Sequence, residues 1–363
     1  MIGVNEEQAI AILTAYLSPK KGRQVGVELG IGDDAAILKT PGISQVISVD
    51  AAIEGVHYRR PWLSPDELAG RAFHAAASDL AAMGARPTAA LTQITLPRDI
   101  SRSQFQRLAQ GQAFAAAELA CPIVGGNITG GRSLDIVTTV VGQPWTKQGA
   151  LLRRTSLRAG DELWLIGCVG LARAGLFLLQ KDSLVDERPQ TFRRINSKVG
   201  AASEKKAALE KLLRESRLSK KRRLSALRQL ALLSFRCPQA LVRSGRSLVG
   251  RARAAMDVSD GLAKDLHHLG RGSDCCVVVD ATSLRRAAAP SAFADLCEAE
   301  GWEFDDMILQ GGEDFCLLAS GPRSRRPRGA QVIGHIEKGR GVQWNDAGQA
   351  SALPLGGFHH VSF

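Results

Sequence analysis

No run of about 18 uncharged apolar residues occurs in the 363-residue chain, which excludes a membrane-spanning helix. Residues 1–8 lack a basic stretch followed by an apolar one, so no secretory signal is expected and the protein is assigned to the cytoplasm. The seven cysteines are odd in number and form no C-x-x-C pair. Neither a disulfide framework nor a zinc site can be drawn from them, and they read as reduced thiols. Also missing are G-x-x-x-x-G-K-[ST], a strand-linked G-x-G-x-x-G, H-E-x-x-H and G-x-S-x-G. P-loop kinases, typical dehydrogenases, zincins and α/β-hydrolases lose ground accordingly. Aromatics are sparse at 5%.

What is present is enough apolar material, 45%, for packed cores, on a chain long enough for two ordinary domains. The net charge of +11 is a local property: residues 183–236 carry 15 Lys+Arg and 5 Asp+Glu, and the rest is near neutral. Such a block can bind polyanions. It contains only two aromatics, Phe192 and Phe235, so nucleic acid is the less favoured partner and a solvated helical insertion the expected state.

Strand and helix signals alternate, which argues an α/β fold in both units. Asn5 and Gln8 open a helix with Ile10, Leu13 and Leu17 on one face. Residues 46–50 read as a strand. Ser64-Pro65-Asp66-Glu67 combines an N-cap, an N1 proline and a capping-box glutamate, opening an Ala-rich helix that stops near Gly84. Strands are expected at 91–96, 122–126 and 136–141, and a helix at 105–119. A second unit starts near Gly160-Asp161 with the wholly apolar strand 163–166, which implies burial on both faces. Residues 204–232 have the composition of one long helix in which Glu210 and Arg214 pair at i,i+4. After it come Asp257–Gly261, a helix bearing Leu262, Leu266 and Leu269, strands at 276–279 and 332–333, and a tail from Gly357 to His360. The expected domains are 1–150 and 151–363, the latter holding the basic insertion at about 183–236.

The chemistry lies in aspartates at strand ends or beside glycine. Asp33 and Asp34 sit in a Gly-Asp turn, Asp50 ends a strand, and Asp79 lies late in the Ala-rich helix. Asp257 and Asp260 flank Ser259 at a strand-to-helix junction, and Glu313 and Asp314 follow a Gly pair. For any one of them, helix capping or turn formation is the commoner role, and Asp257 or Ser259 would cap the helix after Gly261. As a set they suit several Mg²⁺ ions and phosphate groups, with glycine admitting close backbone approach.

Five motifs in order resemble the thiamine-monophosphate kinase family of the aminoimidazole-ribonucleotide-synthetase superfamily. They are Glu28-Leu-Gly-Ile-Gly-Asp-Asp-Ala-Ala36, Ser48-Val-Asp50 with Glu54-Gly-Val-His57, Ser78-Asp-Leu-Ala-Ala-Met-Gly-Ala-Arg-Pro87, Asp257-Val-Ser-Asp-Gly-Leu262, and Gly311-Gly-Glu-Asp-Phe315. The likeness spans the chain except about 183–236. It implies the two-domain synthetase-superfamily fold, with an N-terminal ATP- and metal-binding α/β domain pairing across a homodimer and a C-terminal α/β domain. It also implies ATP-dependent phosphorylation of thiamine monophosphate to thiamine diphosphate, with several Mg²⁺ ions and ATP as co-substrate.

Residue by residue, the resemblance implies metal ligands at Asp34, Asp50, Asp79 and Asp257, a further ion at Asp260, and contributions from Ser48 and Val49. ATP contacts fall to Gly126, Asn127, Arg154 (with Arg153 as a rival) and Ser259. His57, Glu313 and Phe358 match substrate-side positions. Two positions depart from the family: Asn127 stands where it has aspartate, and Val49 where it has threonine. The first removes one negative charge from the metal cluster while keeping an amide oxygen able to ligate. No general base is assigned, because the acceptor phosphate, with a second pKa of about 6, is already ionised at neutral pH. Two other readings are a superfamily relative that binds without catalysing and an aminoimidazole ribonucleotide synthetase-like enzyme.

Overall fold

The computed structural model describes residues 27–29, 33–40, 42–146, 149–183, 201–213, 218–271, 273–288, 290, 292–353 and 356–357. The expected first helix from Asn5, residue Arg214 and the tail beyond Gly357, including Phe358, lie outside them.

Strands β1 (Val27–Leu29), β2 (Ala36–Thr40), β3 (Ile43–Ile53), β4 (Arg86–Leu96), β5 (Ile123–Gly130) and β6 (Asp135–Gln143) form one sheet in the order β1-β2-β3-β6-β4-β5. Only β4 and β5 run parallel in it. Helices α1 (Pro65–Ala82) and α2 (Arg102–Glu118) complete this part. The expected capping box of α1 is present: the Ser64 hydroxyl accepts from Glu67 N at 3.4 Å, and Glu67 Oε2 accepts from Ser64 N at 2.9 Å. A second box, Ser101 with Gln104, starts α2 earlier than its apolar periodicity suggests. The alanines of α1 let it lie close to the sheet, with Ala72, Ala76 and Leu80 buried and Phe73 wholly so.

The second sheet has the order β13-β12-β9-β11-β7-β10-β8. Its strands are β7 (Glu162–Ile166), β8 (Ala254–Asp257), β9 (Cys275–Asp280), β10 (Leu317–Gly321), β11 (Gln331–Lys338), β12 (Gly341–Asp346) and β13 (Gln349–Ala352). Its ladders are antiparallel except β12 with β9, so the alternation of helices and strands has not produced a parallel sheet. As expected, Leu163, Trp164 and Leu165 of β7 are fully buried. Around the sheet lie α3 (Leu171–Ser183), α4 (Ala201–Leu213), α5 (Lys220–Arg236), α6 (Val242–Leu248), α7 (Leu262–Gly270), α8 (Ala281–Ala287), α9 (Phe293–Glu300) and α10 (Phe304–Leu309).

Two expectations for the basic block need correction. The single helix over 204–232 is two helices, the second begun by Ser219, whose hydroxyl accepts from Arg222 N at 3.5 Å. Nor is α5 a solvated insertion, because Leu227, Leu230, Ala231 and Phe235 are buried in the cores. Its periodicity of leucines, masked by the surrounding cations, supplies an apolar stripe against α3. Several of those cations are paired with α9 and α3 neighbours. Lys220 meets Glu298 at 3.5 Å, Arg223 meets Asp295 at 3.6 Å, and Arg228 with Lys181 holds Glu300.

The two sheets are joined tightly at α1. Gly245 of α6 sits where an added Cβ would lie 2.0 Å from the Ala81 carbonyl oxygen, so only glycine permits this helix contact. Farther along, Phe235 packs edge-on against Trp62 at 6.1 Å, and Arg236 Nε donates to the Trp62 carbonyl at 2.8 Å.

Candidate active site

Asp34 follows the first described strand, Asp79 lies one turn from the end of α1, and Asp257 ends β8. These separate elements bring one carboxylate oxygen each to within 4.8 Å of one another. Serines set two of them: Ser78 Oγ donates to Asp257 Oδ2 at 2.6 Å, and Ser48 Oγ donates to Asp79 Oδ2. Ser48 also reaches the Asp34 carbonyl at 3.4 Å. Arg154 closes the other side, its Nη2 on Asp34 Oδ1 and its Nε 3.4 Å from Asp33 Oδ1. Arg153, the rival, instead pairs with Glu28 at 2.6 Å on the surface.

This packing is electrostatically costly without a cation. Burial pushes the Asp34 and Asp79 carboxyls well above their usual range. Each neighbouring carboxylate adds to that, while Arg154 opposes the rise at Asp34 and the Ser48 hydroxyl opposes it at Asp79. Asp257 is pushed up to about 6, burial again leading and the Ser78 hydroxyl and Arg154 opposing.

Asp34 Oδ2 is buried and has no hydrogen-bond partner. A carboxylate oxygen left bare beside two further carboxylates is an all-oxygen donor set of the kind hard divalent cations take. The residues therefore fit Mg²⁺, with Asp34, Asp79 and Asp257 as the holders.

The cluster opens into a cavity of about 450 Å³ lined, among others, by Val49, Asp50, His57, Ser259, Asp260 and Glu313. Asp50 faces Asp79 across the sheet–helix layer, near enough for its charge to raise both Asp79 and Asp257. His57 lines the cavity, its Nδ1 accepting from Ile53 N at 3.0 Å. Asp260 already has a cation, Lys264 Nζ at 2.8 Å. Glu313 has φ 63° and is paired with Arg71.

Neither Asp257 nor Ser259 takes the capping role open to a residue of its type before a helix. Gly261, with φ 128°, is the N-cap of α7, and Asp265 reaches back to accept from Ser259 N at 3.1 Å and Asp260 N at 3.3 Å. Asp257 is thereby free of capping duty. Asp314 is the opposite case: it accepts from Gly170 N at 2.6 Å and Ala172 N at 2.8 Å and caps α3.

Gly126 and Asn127 are not brought to the cluster within this chain. They lie on the exposed edge strand β5. The register runs Asp50–Thr138–Thr92–Gly126 across the sheet. Three strand spacings make that about 14 Å. Val49 is 60% exposed on the open face of the sheet.

Arg71, Lys264 and Asp265 escape the sequence reading. The i,i+4 spacing of Asp260 and Lys264 was a usable signal, and so was an arginine alone among alanines on α1.

The class of protein follows from likeness to known families: the first sheet and its helices belong to an AIR synthase-type domain. Residues 32–143 match the family model described as AIR synthase related protein, N-terminal domain. The thiamine-monophosphate kinase of Corynebacterium glutamicum is 31% identical over 87% of this chain and 84% of its own. The chain belongs to the thiamine-monophosphate kinase family. A solved structure of AaThiL complexed with AMPPCP and TMP superposes with a TM-score of 0.76 at 25% identity, over 98% of this chain and 97% of that one. The thiamine monophosphate kinase crystal structure from Aquifex aeolicus gives 0.72 at 25% identity, covering 95% and 97%.

Proposed function

We propose that this chain transfers the γ-phosphoryl group of ATP to the phosphate of thiamine monophosphate, giving thiamine diphosphate and ADP. The observation that carries this is the Asp34–Asp79–Asp257 cluster, with its bare Asp34 oxygen, opening into a cavity that ends on Glu313. AMPPCP, an ATP analogue, and TMP in the solved relative support the same pair of substrates.

Asp34, Asp79 and Asp257, with Asp50 alongside, would hold Mg²⁺, which would supply neutralisation of charge on the two reacting phosphate groups. Everything else falls to positioning. Arg154 holds Asp33 and Asp34 in place and presents its charge toward the ATP phosphates. Ser259 lines the same wall and His57 the substrate side. Asp260 shares its carboxylate with Lys264, so any ion there competes with an ammonium group. No side chain needs to remove a proton from an acceptor that is already an anion.

The protein acts as a cytoplasmic homodimer with domains 1–150 and 151–363. Among the described residues no helix is long and apolar enough to cross a membrane. Support for pairing comes from the first sheet, where Val49 and Leu91 of the open face are 60% and 45% exposed and Val124 and Ile128 of the edge strand β5 are 66% and 61% exposed. The ATP-side roles of Gly126 and Asn127 depend on that pairing, because within one chain β5 stands apart from Asp50.

The test is formation of thiamine diphosphate from thiamine monophosphate and ATP by purified protein, with and without Mg²⁺. Product that requires Mg²⁺ supports the reading, and no product from folded, ATP-binding protein overturns it. The cation also competes with protons. Asp257 titrates at about 6, so Mg²⁺ binding is expected to release protons and to weaken as pH falls through that value. Calorimetry in two buffers of different ionisation enthalpy reads the release directly. Equal heats in both buffers near pH 6 would remove Asp257 from the ligand set.

A further inference from the structure

Arg71 of α1 is 4% exposed and lines the cavity, yet no part of the reaction described so far uses it. Its guanidinium serves three partners at once. One Nη donates to the carbonyl of Phe235, the other pairs with Glu313 Oε1, and the plane lies 4.2 Å from the centroid of the Phe235 ring. Phe235 is fully buried at the end of α5, one residue before the arginine that grips Trp62. The last turn of the basic block therefore holds a side chain of α1, and that side chain holds Glu313.

We propose that Arg71 is a positioning residue for the substrate side of the cavity, fixed by Phe235 and orienting the Glu313 carboxylate toward the thiamine part of the substrate. The inference rests on the kinase reading above. A carboxylate is the natural recognition group for a cationic thiazolium ring with an amino-substituted partner ring. Glu313 sits on a short left-handed turn, its N–H donating to Ser259 O at 2.8 Å, and no described helix or strand carries it. Its side-chain direction comes from Arg71. A planar fork spans a carbonyl, a carboxylate and a ring face in one fixed geometry; an ammonium group keeps the charge and its donors but is a compact point that cannot hold all three at these separations. Arg71 lies away from the Asp34–Asp79–Asp257 cluster by two turns of α1, so its loss should not disturb ATP or Mg²⁺.

The experiment compares wild-type protein with Arg71→Lys and Phe235→Leu in steady-state kinetics for both substrates, with thermal denaturation alongside. Arg71→Lys is expected to raise KM for thiamine monophosphate about tenfold, leaving kcat and KM for ATP within about twofold. Phe235→Leu keeps the apolar character and the carbonyl but loses the ring, and should raise the same KM about threefold. If Arg71→Lys fails to fold, Phe235→Leu alone decides the matter. An unchanged KM for thiamine monophosphate in a folded variant overturns the proposal, and so does a parallel rise in both KM values. Wild-type protein that makes no thiamine diphosphate fails the kinase reading and the inference with it. Normal wild-type turnover with unshifted variants fails the inference alone.

Discussion

Asp79→Asn is expected to abolish turnover, by about a thousandfold or more, while making the metal-free protein harder to unfold. The two effects have one origin. Asp79 is buried against Asp34 and Asp257, and both burial and those neighbours raise its carboxyl pKa. A carboxyl whose folded-state pKa is raised favours the fold when protonated and costs stability as pH rises through the raised value. Asparagine keeps the shape and the acceptor for Ser48 Oγ but carries no charge to bury. In EDTA at neutral pH the variant should melt about 1–2 °C above wild type, corresponding to about 1 kcal/mol for a protein of this size. Adding Mg²⁺ should reverse the order, since the variant has lost a ligand and gains less from the cation. Melting curves with EDTA and with Mg²⁺ check this, together with turnover. A variant that is destabilised in EDTA would mean that the cluster is not under repulsion.

Gly312→Ala should cost at least about a hundredfold in turnover, for a reason that has nothing to do with charge. A Cβ at Gly312 would stand 2.3 Å from the Ser259 carbonyl oxygen and 2.9 Å from the Asp260 carbonyl carbon. Both are backbone, so the clash is relieved only by moving one loop away from the other. One loop carries Ser259 and Asp260, and the other carries Glu313, whose N–H bonds the same Ser259 oxygen. The Asp34–Asp79–Asp257 cluster does not depend on this contact. Mg²⁺ affinity measured by calorimetry should therefore stay within about threefold of wild type while kcat/KM falls. Wild-type turnover in Gly312→Ala would show that the two loops tolerate separation and that the cavity is less tightly set than its geometry indicates.

Local signals were legible where a single element decides the outcome. Ser64, Pro65 and Glu67 specify the start of α1 without help from the rest of the chain. The run at 163–166 announces a strand buried on both faces. The ordered aspartate motifs pointed to Asp34, Asp79 and Asp257, which the fold does bring together. What stayed hidden depends on partners distant in sequence. The Ala-rich face of α1 says nothing of Phe235, 164 residues away, so nothing in the sequence ties Arg71 to it. In the basic block, charge drowned the apolar stripe of α5, and pairing with the acidic α9 cannot be seen in either segment alone. Asp257 and Ser259 could each have been a cap, because residues of that type before a helix usually are; the N-cap is Gly261, and Asp265 of α7 instead ties down the Ser259–Asp260 loop ahead of it. Strand polarity was equally invisible: the alternation of helices and strands says nothing of it, and most ladders of both sheets run antiparallel.

The helix that bears Asp79 at one end of the cavity bears Arg71 eight residues earlier. At 1.5 Å per residue those positions are about 12 Å apart along a rod that does not stretch. The protein thus carries a ruler. On the kinase reading proposed above, the gap between the end assigned to the cation and the end assigned to the thiamine rings is set by backbone hydrogen bonds of one helix. A molecule with the right groups at the wrong separation would then satisfy one end only, and selection by length would follow from the helix itself.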